Sequence, residues 1–257
     1  MEIGGMVIVV LIAGAVGLLV RMATNAQKNE LKFNSITLSS LPSSFDGLTI
    51  FFISDIHKRE VSNTLLEKIP STVDFVLIGG DLAESKVPLN RIEDNLKKLK
   101  RLAPTYFVYG NNDYEVGKES LESLFRKVGI LPLNNHTARI ESELGENIYI
   151  IGVEDFTLGN ANLEKALKEC PRDGFKILLS HNPDIYDQIH NENEISLIVS
   201  GHTHGGQIRF FGIGPYKKGG LFVRKKAIIL ISNGYGTTLL PLRLGAPAEA
   251  HIIELRK

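Results

Sequence analysis

Five short runs rich in β-branched and aromatic residues constrain this chain more than any other feature. They cover residues 48–54 (LTIFFIS), 75–78, 106–109, 176–180 and 197–200. Runs of this length and composition predict buried strands. Helical spacing separates several of them, at residues 63–69, 89–102 and 119–128, the last through Leu121, Leu124, Phe125 and Val128. Asn182-Pro183-Asp184 reads as another helix start, with proline early and an acid in the first turn. Beyond His204 the chain reads as short strands joined by glycine-rich turns, at 207–211, 220–223, 227–232 and 248–254. The alternation predicts an α/β (α+β) chain with a mixed sheet, helices outside, and two sheets face to face.

Each of the five runs ends in residues able to bind a metal. In order these are Asp55-Ile56-His57, Gly79-Gly80-Asp81, Gly110-Asn111-Asn112-Asp113, Ser180-His181 and Gly201-His202-Thr203-His204. Taken singly, each has a plain structural reading: Asp-x-His as a cap, Gly-Asp as a turn, one histidine as a buried, satisfied side chain. The joint pattern does not, because open α/β sheets bind ligands beyond the carboxyl ends of their strands. The imidazoles of His57, His181, His202 and His204, the carboxylates of Asp55 and Asp81, and the Asn111 amide are too many ligands for one tetrahedral ion. They suit two divalent ions sharing a carboxylate. Cys170 is the only cysteine, so no thiolate cluster and no internal disulfide is possible. Mixed nitrogen and oxygen ligation fits Mn, Fe, Zn or Co better than Ca. Two ions about 3.5–4 Å apart clamp the attacking and leaving oxygens of an in-line displacement and supply hydroxide near neutral pH.

The set Asp55-x-His57, Gly80-Asp81, Gly110-Asn111-x-Asp113, His181 and Gly201-His202-x-His204 resembles the calcineurin-like metallophosphoesterase family. The likeness spans residues 48–254. SHNPD at 180–184, SGHTHGGQ at 200–207 and GYGTTLLPLRLGAPAE at 234–249 are similar to its bacterial membrane-associated branch. The resemblance implies a four-layer αββα sandwich. It implies that Asp55, His57 and His204 hold one ion, that Asn111, His181 and His202 hold the other, and that Asp81 bridges them. One position departs: the family has a histidine where this chain has Asn112. That histidine contacts the scissile phosphate and helps the leaving group, whereas an amide donates a hydrogen bond but transfers no proton near pH 7. Asp113 keeps the role of positioning this loop. His136 is a conceivable substitute acid, although it reads as a surface histidine; His190 reads as part of a helix face and His251 as a strand end. Lys58 and Arg59 follow His57, so Arg59 is either a phosphate contact or part of a solvated helix start. Gln207 is placed to reach substrate or to orient His204.

The N-terminus breaks the globular pattern. Residues 3–20 (IGGMVIVVLIAGAVGLLV) carry no charge, and as a helix they would reach about 27 Å, close to the hydrocarbon thickness of a bilayer. A transmembrane helix is the favoured reading. The rival, a signal peptide, is weakened by Glu2 ahead of the run and by the lack of a clear cleavage site after it. A buried core helix fits least, because the run is apolar all round. Arg21, Lys28 and Lys32 follow the run, which favours the cytoplasmic face for the rest of the chain. The expected organisation is an anchor at 1–21, a tether at 22–33 and a catalytic domain at 34–257, giving a single-pass cell-membrane protein. Formal net charge is +0 and there is no basic stripe, which argues against a nuclease or any nucleic-acid partner. No protein partner is inferable. The expected activity is two-metal hydrolysis of a phosphoester, most simply a phosphodiester on a membrane-associated or lipid-linked compound. The alternative is a metal-bound, non-catalytic scaffold for a phosphorylated ligand or partner.

Overall fold

Alternation along the strands decides the architecture. In the run TIFFI, Ile50 and Phe52 point to one side and Phe51 and Ile53 to the other, yet all four are buried. A strand with no wet face must be covered on both sides. The computed structural model, which describes residues 2–224 and 227–257, supplies both covers.

A long helix α1 (Glu2–Ala26) comes first. It is followed by β1 (Glu30–Thr37), β2 (Thr49–Ile53), α2 (Asn63–Leu66), β3 (Phe75–Ile78), α3 (Leu89–Lys100) and β4 (Thr105–Phe107). Next come α4 (Asp113–Val116), α5 (Lys118–Val128), β5 (Leu131–Pro132), β6 (His136–Glu141), β7 (Asn147–Gly152) and α6 (Leu163–Leu167). The chain ends with β8 (Phe175–Leu179), β9 (Ile195–Ser200), β10 (Gly220–Arg224), β11 (Ala227–Ile231) and β12 (Glu249–Arg256). Two mixed sheets result, in the orders β1-β12-β2-β3-β4-β5 and β10-β11-β9-β8-β7-β6.

The sheets face each other across a core that includes Ile50, Phe52, Leu77, Ile150, Ile177, Val199 and Ile253. Phe51, Ile53, Val76, Ile78 and Phe107 turn outward, under Ile92, Leu96 and Leu99 of α3 and Leu121 and Phe125 of α5. On the far side Ile151, Leu178 and Ile198 pack under Leu163 and Ala166 of α6 and Ile185. The expected four-layer metallophosphoesterase sandwich is therefore present. Strands β2, β3 and β4 are mutually parallel, as are β7, β8 and β9, so their carboxyl ends gather at shared edges.

Several expectations need correction. The segment 207–211 is not a strand. Ile208 and Phe210 make only isolated bridges, because Arg209 donates to the carbonyls of Gly205, Gly212 and Tyr216 and winds the chain into a loop. Asn182 caps a 3₁₀ turn, Pro183–Gln188, rather than an α-helix. His190 precedes another 3₁₀ turn instead of sitting on a helix face. His251 lies inside β12, buried, with Nε2 3.0 Å from Ser232 Oγ, and not at a strand end. The polar stretch 22–33 is not a tether. The helix runs on to Ala26, Glu30 already pairs with Glu249, and only a short turn separates them.

Gly4–Ala26 is the one candidate membrane span among the described residues, with a mean hydropathy of 2.5 and almost no burial. Only its last turn docks on the sandwich. Met22 and Ala26 are buried, Met22 O accepts from Arg243 N at 3.0 Å, and Asn25 O accepts from Ala248 N at 3.2 Å.

Candidate metal centre

The loops that leave β2, β3, β4, β8 and β9 converge. Backbone bonds lock them together: Asp55 N to Gly80 O at 3.0 Å, His57 N to Asp81 O at 3.1 Å and Gly201 N to His181 O at 3.0 Å. The chain turns sharply where each side chain is delivered. Asp55 (φ 53°), His57 (52°), Asp81 (48°), His202 (68°) and His204 (49°) all lie in the left-handed region. Non-glycine residues adopt it at a cost, and such strain clusters at functional sites. At Gly201 a Cβ would stand 2.4 Å from Asp55 Oδ2, and at Gly110 one would stand 2.3 Å from Asp81 Oδ1. Only glycine lets these loops come so close.

The ligand atoms form two groups, Asp55 with His57 and His204, and Asp55 with Asp81 and His181. His57 Nε2 is 3.1 Å from His204 Nε2, and His204 Nε2 is 3.3 Å from Asp55 Oδ1. In the second group His181 Nε2 is 3.3 Å from Asp81 Oδ2 and 3.1 Å from His202 Nδ1. Ligands bound about 2.0–2.1 Å from one ion in tetrahedral geometry sit roughly 3.3 Å apart. Asp81 Oδ2 also lies 3.7 Å from His57 Nε2, so it faces a ring nitrogen of each group. Two further atoms await a partner. Asp55 Oδ2 and Asn111 Oδ1 are buried without a hydrogen bond, and Asn111 has already spent an amide hydrogen on Asn112 Oδ1 at 2.9 Å. Buried acceptors left in this state are costly unless a cation meets them. This donor set fits a dinuclear metal site.

The surroundings prepare the rings. His181 Nδ1 donates to Gly79 O at 2.9 Å, so Nε2 is the ring nitrogen that faces Asp81. His57 Nδ1 lies 3.0 Å from Glu84 Oε2, an ion-pair contact without hydrogen-bond alignment. That contact, joined by Lys58, pulls the Glu84 carboxyl down to about 2 despite its burial. Arg243, fully buried, donates to His204 Nδ1 at 3.0 Å and to the carbonyls of Gly236 and Ala246. Burial, with Arg243 and His57 close by, keeps His204 well below the usual histidine range. Burial and the nearby His181 also lower His202. Burial opposes charge on His181, but Asp81, Asp55 and Gly79 O together outweigh it and raise the ring to about 10, a measure of how much negative charge is gathered here.

The sequence did not single out Glu84, Arg243 or Asp155. Glu84 stands three residues past Asp81, and Arg243 is the one charge inside Leu240-Pro241-Leu242-Arg243-Leu244, which is a weak signal. Asp155 is buried, accepts from Leu158 N at 2.7 Å, and has its other oxygen unpaired. Of the candidates named from sequence, Asp113 takes backbone bonds from Asp81 (2.8 Å), Gly110 (2.8 Å) and Ala83 (3.2 Å). Burial and the nearby Asp81 raise its carboxyl to about 7. Asn112 lines the same cavity as Asp81, His57, His202 and His204, and its amide donates to Glu115 at 3.1 Å. Arg59 is elsewhere. Its guanidinium stacks 3.7 Å over Tyr235 and donates to Tyr235 O, Gln27 O and Asn29 Oδ1, in a separate cavity at the end of α1. Gln207 lines the metal cavity but spends its amide on the loop, donating to Thr238 O and Leu240 O and accepting from Thr238 N. His136 is exposed and paired with Glu169 at 2.7 Å.

A model of the calcineurin-like phosphoesterase family matches residues 48–206, the stretch that carries every strand-end ligand described above. The chain belongs to this family. A Bacillus subtilis relative, the uncharacterized protein YpbG, is 47% identical over 96% of this chain and 95% of its own length. A Danio rerio relative, a transmembrane protein with metallophosphoesterase domain, is 31% identical over 97% of this chain, which spans 62% of that protein. A 5'-nucleotidase precursor from Thermus thermophilus superposes with a TM-score of 0.53 at 15% identity, covering 81% of this chain and 55% of its own. That likeness speaks for the fold alone. The metallophosphoesterase is thus a hydrolase of the phosphoester class whose candidate metal centre lies at the strand ends.

Proposed function

We propose that this metallophosphoesterase hydrolyses phosphodiesters with two divalent ions, Mn, Fe, Zn or Co, on a membrane-associated or lipid-linked substrate. The observation that carries the reading is Asp81 Oδ2, which faces a ring nitrogen of each ligand group. Asp55, His57 and His204 would hold one ion, Asn111, His181 and His202 would hold the other, and Asp81 would serve both. When bound, the ions activate water and neutralise charge on the phosphate.

The chain's own residues do the rest. Glu84 and Gly79 O hold His57 and His181 with Nε2 turned inward. Asp113 fixes the loop bearing Asp81 and Asn111 through three backbone bonds. Gln207 braces the wall at 238–240. Asn112 supplies no proton, so substrates with good leaving groups are favoured. Helix α1 anchors the protein in a single pass, and Arg21, Lys28 and Lys32 favour the cytoplasmic face. The substrate is membrane-associated or lipid-linked; no nucleic acid is expected.

Purified protein with Mn²⁺ should cleave bis-p-nitrophenyl phosphate, and Asp81→Asn should abolish turnover. Absence of turnover with each of several metals would sink the hydrolase reading. A second reading is motivated by Asn112, whose amide is tied to Glu115. In it the chain binds metal and a phosphorylated ligand without turnover. Metal content equal to that of an active relative, with no hydrolysis, would favour that scaffold.

A further inference from the structure

Around the metal cavity the loops expose large apolar side chains for which the folded domain has no use. Phe211 is 103% exposed and Leu239 is 93% exposed. Both also sit at positive φ, 51° and 59°, where a bulky residue is disfavoured. Phe211 occupies the tip of a tight turn closed by Phe210 N to Ile213 O (3.0 Å) and Ile213 N to Phe210 O (2.9 Å). Glycine or asparagine would suit such a turn better, so neither local conformation nor packing accounts for an aromatic there. Phe210, Ile213, Tyr216 and Leu240 are exposed beside them. Tyr216, Leu239 and Leu240 line the metal cavity itself, a space of about 470 Å³.

The same loops are tied to the end of α1. Arg243 N bonds to Met22 O, and the next residue, Leu244, exchanges bonds with Gln207 and Arg209 just ahead of Phe210. Leu239 forms part of two walls, one shared with Ala26 of α1 and one shared with His57 and Asp81. The apolar rim and the foot of the apolar helix are therefore neighbours. An exposed apolar patch with polar surroundings marks an interaction surface, and one continuous with a membrane helix has the bilayer as its partner.

We propose that residues 210–213 and 239–240 dip into the headgroup–acyl boundary of the bilayer that holds α1, so that the metal cavity opens onto the membrane surface. The cavity then receives a phosphoester whose apolar part stays in the lipid. This rests on the anchored hydrolase reading above and adds where its substrate comes from. The chain has no tryptophan, so Phe211→Trp, Ile213→Trp and Leu144→Trp each create a single emitter in the full-length protein. Leu144 is exposed in the turn between β6 and β7, at an outer sheet edge. In phosphatidylcholine–phosphatidylglycerol vesicles with brominated acyl chains, the Phe211 and Ile213 variants should shift to the blue and lose most of their emission. Leu144→Trp should do neither. Equal emission from all three variants in brominated and plain vesicles would overturn the proposal, as would a rim that a soluble protein shields while lipid does not quench it. Turnover of bis-p-nitrophenyl phosphate on the same samples separates the two readings. Quenching without turnover keeps the rim and removes the hydrolase; turnover without quenching does the reverse.

Discussion

Glu84 shows how much of this site depends on residues that touch no substrate. It holds His57 Nδ1 at 3.0 Å and in turn pairs with Lys58. Partners of this kind orient the ring and set its tautomer, and their loss typically costs about 10–100-fold in metal affinity or activity. Glu84→Gln should fall in that range, read as the Mn²⁺ concentration at half-maximal turnover; an unchanged value would mean that His57 needs no orienting partner. Asn112 makes the opposite case, a gain by substitution. A histidine there would meet Glu115, to which Asn112 already bonds, and would restore a proton donor at the cavity wall. Asn112→His should raise rates on alkyl leaving groups by roughly 10²-fold while changing nitrophenyl esters little. A flat or lowered rate on alkyl esters would show that leaving-group protonation is not what this position lacks.

Strands and loops explain why the candidate ligands could be picked out from sequence and why other features could not. Each ligand follows an apolar run within a few residues, so chain order alone places Asp55, Asp81, Asn111, His181 and His202 at strand ends. The run NIYIIG of β7 is as apolar as those five, yet no ligand follows it, and its place between β6 and β8 emerges only from pairing. Strand β1 was hidden for another reason. Only Ile36 of its eight residues is buried, so it lacks the buried pattern and depends on eight paired positions with β12, more than 200 residues away. Loop glycines carry the closest approaches. In Gly201→Ala the new methyl would meet Asp55 Oδ2 at 2.4 Å and Ser54 Oγ at 2.5 Å, both in a buried and tightly bonded loop. Overpacking of this kind costs about 1–3 kcal/mol. The variant should show that loss in chemical denaturation together with weaker metal retention, since the same displacement moves a ligand.

At the scale of the whole molecule, the helix and the sandwich are one structure at their junction. Met22 and Ala26 are buried against the domain, and Met22 O and Asn25 O accept from Arg243 N and Ala248 N. Asn29 adds bonds to Tyr235 Oη, Arg59 and Lys68. A soluble form that begins at residue 21 should therefore be close to the intact protein in stability. One that begins at residue 30 should lose roughly 3–6 kcal/mol, from Met22 burial and two orphaned backbone donors. Denaturant midpoints of the two truncations would check this, and equal midpoints would show that the last turn of α1 is dispensable.

What the sequence by itself determined was the inventory: strand-end aspartates, histidines and an asparagine in family order, and an apolar N-terminal run. These are legible because ligand chemistry and hydrophobic runs are local properties of the chain. The tertiary structure alone decided which ring nitrogen each histidine turns inward, that Arg59 serves the helix junction, and that Glu84 and Arg243 stand behind the ligands. It also decided that exposed Leu239 shares a cavity wall with Ala26 at the foot of α1. Each of these depends on neighbours brought together from distant parts of the chain, and no local pattern encodes such a meeting.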